Sequence, residues 1–89
     1  MSVTHGMNPD EVEGLGQKLK QISNEIQNMI SYLNNQVMST TWVGPDATTF
    51  KETWWPEHRT HLQNAANDLD GFGQSALNNA TEQRTISGR

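Results

Sequence analysis

Between Val12 and Leu33 the apolar residues of this 89-residue chain fall at Val12, Leu15, Leu19, Ile22, Ile26, Met29 and Leu33. The steps alternate three and four, a mean of about 3.5, which marks a narrow helical seam rather than a broad amphipathic face. Val37 follows four residues after Leu33, so the register drifts at the end. Met7, Ile30, Tyr32 and Met38 lie beside the stripe and widen it. The start is signalled by Asn8 as N-cap, Pro9 at the first helical position and Glu11 three residues after the cap. Asp10 and Glu11 suit the positive end of the helix dipole. Gly14 and Gly16 each weaken the first turns by roughly 1 kcal/mol relative to alanine. The pattern predicts a helix over about residues 9–38, roughly 45 Å long.

A second helical pattern runs through Ala47, Phe50 and Trp54, then Leu62, Ala65, Leu69, Phe72, Ala76 and Ala80. Between the two lies a break at about residues 39–44. Ser39, Thr40 and Thr41 compete for backbone hydrogen bonds, and Gly44 precedes Pro45, which disfavours the α region before the proline. Pro45 and Asp46 then open the second helix, at its first position and at the positive end of its dipole. Pro56 removes a backbone donor within the run, which predicts a kink or short interruption near Glu52–Pro56. Gly71 and Gly73 flank Phe72 and ease bending or fraying. The second helix is expected over about residues 45–80, with a flexible tail over 81–89. Two long helices joined by a short turn make an antiparallel hairpin in a single all-α domain. Each stripe of a lone hairpin stays half wet, and the remedy is a second hairpin, giving a dimeric four-helix bundle.

Composition sharpens this. Only 33% of residues are hydrophobic and the mean hydropathy is −0.77, so the apolar groups must be concentrated to fold so small a chain. There are no cysteines, which removes disulfides and thiolate metal sites. A net charge of −4 argues against nucleic acid and against docking on an anionic membrane. No basic-then-apolar leader and no membrane-length apolar run is visible.

All three tryptophans lie in the stretch from Thr40 to Trp55, "TTWVGPDATTFKETWW". Trp42-Val43-Gly44 between two heptad-patterned helices resembles the WXG family of type VII (ESX) secretion substrates, also called the ESAT-type family. The longer "WVGPDATTFKETW" resembles the actinobacterial pattern, in which Trp-X-Gly-Pro-Asp-Ala is followed by Phe and then Trp at helical spacing; the stretch from Leu62 to Gln83 is also similar to the later part of such proteins. The resemblance implies a homo- or heterodimeric four-helix bundle. It implies export in folded form, without a cleaved signal peptide, through a membrane complex containing an FtsK-like ATPase. In several family members the Trp and Gly of one chain lie close to a C-terminal Tyr-x-x-x-Asp/Glu export motif of the partner; Trp42 and Gly44 are the matching positions. The only tyrosine here is Tyr32, and nothing after Phe72 reads Tyr-x-x-x-Asp/Glu. A partner supplies that signal, or another tail feature does, or export is not this chain's role.

From the residues themselves, Phe50 and Trp54 share a helix face, and Trp42 is expected to fold over the end of the bundle. Leu15, Leu19, Ile22, Ile26, Met29 and Leu33 are expected to pack against Phe50, Trp54, Leu62, Leu69 and Phe72 and against the second hairpin. Trp55 points about 100° from Trp54 and is expected to be a partner-facing anchor. His58 and His61, three apart, lack the specificity of a metal motif, and no metal or cofactor is expected. With no nucleophile motif, no phosphate loop and little concave space, an enzyme is disfavoured. The expected role is that of a small substrate or partner protein of a type VII-like system, made in the cytoplasm and carried outside. The alternative is an adaptor for the helical N-terminal segment of a larger exported effector or toxin.

Overall fold

The computed structural model describes residues 6–87. Its elements are α1 (Pro9–Ser39), α2 (Pro45–Thr49), a π-helical turn (Phe50–Trp54) and α3 (Trp55–Ser87), and among the described residues no strand occurs. At the start of α1, Asn8 Oδ1 accepts the backbone N–H groups of Asp10 and Glu11 at 3.0 and 3.2 Å. That satisfies two of the orphan donors of the first turn, worth about 1 kcal/mol. α1 ends where Thr40 turns extended, with φ −74° and ψ 130°.

The disturbance expected near Pro56 takes the form of the π turn. The Trp55 N–H donates to the Phe50 carbonyl, five residues back. Pro56 has no N–H to give, and its ring would crowd the carbonyl of Glu52 in a regular α-helix. A widened turn just before the ring relieves both problems while the chain stays helical.

Cross-helix hydrogen bonds establish the antiparallel pairing of α1 and α3. Arg84 reaches Asp10 and Glu13 at 2.6 and 2.8 Å, Lys20 reaches Asp70 at 3.0 Å, Ser23 reaches Ala66 at 2.6 Å, and Arg59 reaches Asn34 at 2.7 Å. The sequence separation shrinks steadily toward the turn.

The line of contact differs from the apolar stripe. On α1 the seam runs through Gly16, Ser23, Ile30 and Val37, seven residues apart; on α3 it runs through Arg59, Ala66, Gly73 and Ala80. Gly16, Ser23, Ile30, Ala66, Gly73 and Ala80 are buried. A Cβ placed on Gly73 would stand 2.7 Å from the Gly16 carbonyl oxygen, and one on Gly16 would stand 2.8 Å from that of Gly73. The two backbones therefore touch at this crossing, which only glycine permits. Gly16 and Gly73, expected to weaken or loosen their helices, are the points of closest approach.

This seam corrects the expected packing. Leu15, Met29, Leu33, Trp54, Leu62 and Phe72 are exposed, while Leu19, Ile22, Ile26, Leu69 and Phe50 are half-buried. Large side chains cannot enter a crossing where backbones touch, so they are held along its flank. The expected flexible tail is also corrected over residues 81–87, where α3 continues. Ala80 is wholly buried, and Arg84 in the next turn ties α3 to the start of α1. Hydrogen bonds donated by Arg84 to Asp10 first, then to Glu13, raise its pKa above the ordinary arginine value. Residues 88–89 of that expected tail lie outside the described residues.

Candidate functional site

Two surfaces stand out: an apolar face along the hairpin and an aromatic cluster at its turn. The face follows from the seam. On α1, Leu15, Ile22 and Met29 each precede a seam residue by one position; on α3, Ala65 and Phe72 do the same. Positions displaced in the same sense from facing seams of an antiparallel pair share one side of it. Lys20 and Asp70 check this. Each lies four residues after a seam position, and the two bond at 3.0 Å on the other side. One side of the hairpin is thus mainly polar, with Lys20, Asn34, Gln63, Asp70 and Arg84, and Leu77 as its apolar member beside Gly16. The opposite side gathers the large apolar residues of both helices, with Met29 61% and Phe72 62% exposed. Its outer border, the heptad position two residues after the seam, carries the charged residues Glu11 (one heptad before Lys18), Lys18, Glu25, Asp68 and Glu82 beside Tyr32, Ser39, His61 and Ser75.

At the turn, Gly44 has φ +118° and ψ 175°, a conformation open in practice to glycine alone. It reverses the chain so that Pro45 starts α2, with Asp46 in the first turn. Trp42 then lies with its ring centroid 5.6 Å from Phe50, Phe50 is stacked on Trp54 at 5.1 Å, and Trp54 meets His58 at 4.1 Å. A shallow apolar concavity of about 320 Å³ is bordered by Trp42, Asp46, Thr49, Phe50 and Trp54. Val43 projects into solvent at 88% exposure. Lys51 Nζ donates to the carbonyls of Thr40 and Trp42, both at 3.2 Å, and so ties the irregular strand of chain to the π turn. The sequence pattern held no sign of this clamp, because a lysine reads as surface until the turn brings carbonyls to it.

Trp55 is corrected from its expected role. It is only 6% exposed, and its Nε1–H donates to Asn34 Oδ1 at 3.1 Å. The same 100° rotation that takes it off the Trp54 face turns it inward against α1. There the large ring fills the space between the helices, and Asn34 satisfies its one polar atom. His61 lies 3.9 Å from Glu57, and no group of three or more metal-ligating side chains occurs among the described residues. No helix among them is long and apolar enough to cross a membrane.

Compared with known protein families, characterised proteins and solved structures, the chain matches none.

Proposed function

We propose that this chain is a small, non-enzymatic substrate or partner protein of a type VII (ESX-like) secretion system. In this reading the apolar face pairs with a second hairpin, itself or a homologous WXG-type chain, to form a four-helix bundle. The Trp42–Gly44 turn, with Pro45 and Asp46 behind it, presents the aromatic cluster to the partner's tail or to an FtsK-like export ATPase. The observation that carries the proposal is the exposed row of Leu15, Met29, Leu33, Leu62 and Phe72 on one side of a hairpin sealed by small residues. Contiguous apolar surface on so polar a chain marks an association face. Sedimentation equilibrium of the purified chain and of Met29→Glu/Phe72→Glu tests the pairing: a dimer is expected for the first and a folded monomer for the second. A wild-type monomer at micromolar concentration, alone and with every homologous chain of its source, removes the proposal. For the turn, Trp42→Ala that remains a folded dimer yet is exported at the wild-type level would leave Trp42 with a packing role alone.

The adaptor reading, in which the hairpin escorts the helical N-terminus of a larger effector, is favoured by charge. Four carboxylates and one lysine border the apolar face, so two identical copies bring like charges together at its edges, whereas a partner with a basic border is attracted. Mixing wild type with Glu25→Lys/Asp68→Lys/Glu82→Lys at low salt should give the mixed dimer in excess of both homodimers. A statistical mixture counts against charge selection of a different partner.

A further inference from the structure

On the polar side of the hairpin, opposite the apolar face, a cavity of about 350 Å³ is bordered by Ile30, Ser31, Asn34, Asn35, Arg59 and Gln63. It falls within the roughly 300–1,000 Å³ range of small-ligand sites. No carboxylate borders it. The ion pairs of the described residues join Arg84 to Asp10 and Glu13, Lys20 to Asp70, and His61 to Glu57. Arg59 takes part in none of them, although the chain has 10 acidic residues against 6 lysines and arginines.

The half-buried Arg59 is nevertheless held in place. Its Nη1 donates to Asn34 Oδ1 at 2.7 Å, and that oxygen also accepts the Trp55 indole N–H at 3.1 Å. Two donors on one oxygen fix the Asn34 amide and leave its Nδ2 free of any described partner. The side chains of Ser31, Asn35 and Gln63 likewise hydrogen-bond to no described residue, which leaves a hydroxyl and two further amides as donors. Ile30, 5% exposed, supplies an apolar floor. A guanidinium with one nitrogen pinned keeps further N–H groups in a plane, the arrangement that matches a carboxylate. One positive charge among neutral donors suits a monoanion better than a phosphate dianion.

We propose that this cavity binds a carboxylate, carried by an acidic side chain or by the C-terminus of a peptide. The site stands apart from the pairing of the apolar face and does not depend on it.

The Trp55 indole N–H shares an acceptor with Arg59 and reports on the site. In ¹⁵N-labelled full-length protein at constant ionic strength, four probes separate the sources: N-acetyl-glutamate α-amide, N-acetyl-alanine, N-acetyl-glutamine amide and inorganic phosphate. Either or both carboxylates are expected to shift the Trp55 signal saturably, with a dissociation constant on the order of 10 mM for one charge-assisted contact; which of the two binds more tightly identifies the source. The neutral amide and added chloride should give no saturable shift. Arg59→Gln is expected to weaken binding at least tenfold and Gln63→Ala a few-fold; the second, at an exposed position, serves if the first fails to fold. A response to chloride equal to that of the carboxylates, retention of binding in Arg59→Gln or, should that variant not fold, in Gln63→Ala, or phosphate binding more tightly than both carboxylates overturns the proposal.

Discussion

Four helical glycines divide into two kinds, and alanine should separate them with opposite signs. Gly14 and Gly71 have open space where a Cβ would go, whereas Gly16 and Gly73 face each other's carbonyl oxygens. Every Gly→Ala change in a helix gains about 0.5–1 kcal/mol from backbone entropy and propensity. At the two open positions nothing opposes that gain. At the crossing, a methyl carbon needs about 3.4 Å from an oxygen but would have 2.7–2.8 Å, so the backbones must separate by about 0.6–0.7 Å. The nearest neighbour on each side is a backbone oxygen that cannot rotate away, while the Leu77 and Lys20 side chains, at 2.8–3.1 Å, can move aside. Overpacking of this kind costs about 1–3 kcal/mol. Gly14→Ala and Gly71→Ala should therefore raise stability by up to about 1 kcal/mol, and Gly16→Ala and Gly73→Ala should lower it by up to about 2 kcal/mol after the propensity gain. For a domain of this size each kcal/mol shifts the thermal midpoint by about 4–8 °C. Thermal unfolding followed by circular dichroism, at one protein concentration for all variants because association raises apparent stability, reads the difference directly. The double variant Gly16→Ala/Gly73→Ala should cost less than the sum of the singles, since one separation accommodates both methyls. If Gly16→Ala and Gly73→Ala stabilise as much as the other two, the close crossing is not what holds the hairpin together.

Three further outcomes follow from local geometry. Ser23→Ala removes the bond to the Ala66 carbonyl but leaves that oxygen its helical partner, so the loss should be about 1 kcal/mol by urea unfolding. Gly44→Ala meets no steric obstacle yet is forced to hold φ +118°, and should cost about 1–3 kcal/mol and loosen the turn, visible as faster amide exchange at Asp46 and Ala47. Arg84→Gln should lower the melting temperature slightly and by the same amount at pH 7 and pH 10. The Arg84 pKa is raised in the folded chain, so its contribution is complete below the ordinary arginine range and is lost only at higher pH. In 1 M salt the difference between wild type and Arg84→Gln should shrink, because the pair is exposed.

The sequence alone determined where the helices begin and the place where the chain reverses, though not how far α3 runs. Asn8 and Pro9 fixed the start of α1, Gly44 and Pro45 fixed the turn and the start of α2, and the three-and-four spacing fixed the helical period, all through interactions among near neighbours. Pro56 announced a disturbance in the same way, though not that a π turn would absorb it. What tertiary structure decided was which side of each helix faces the other. The stripe from Leu15 to Leu33 was the loudest pattern in the chain, yet the seam runs beside it through Gly16, Ser23, Ile30 and Val37 against Ala66, Gly73 and Ala80. A pattern of apolar residues reports what avoids water, not how closely two backbones can approach. That closeness depends on pairs such as Gly16 and Gly73, which stand far apart in sequence and carry no hydrophobic signal. The inward position of Trp55, the clamp of Lys51 and the cavity around Arg59 share this origin. Each is set by a partner that only the folding of α3 against α1, or of the turn against itself, brings near.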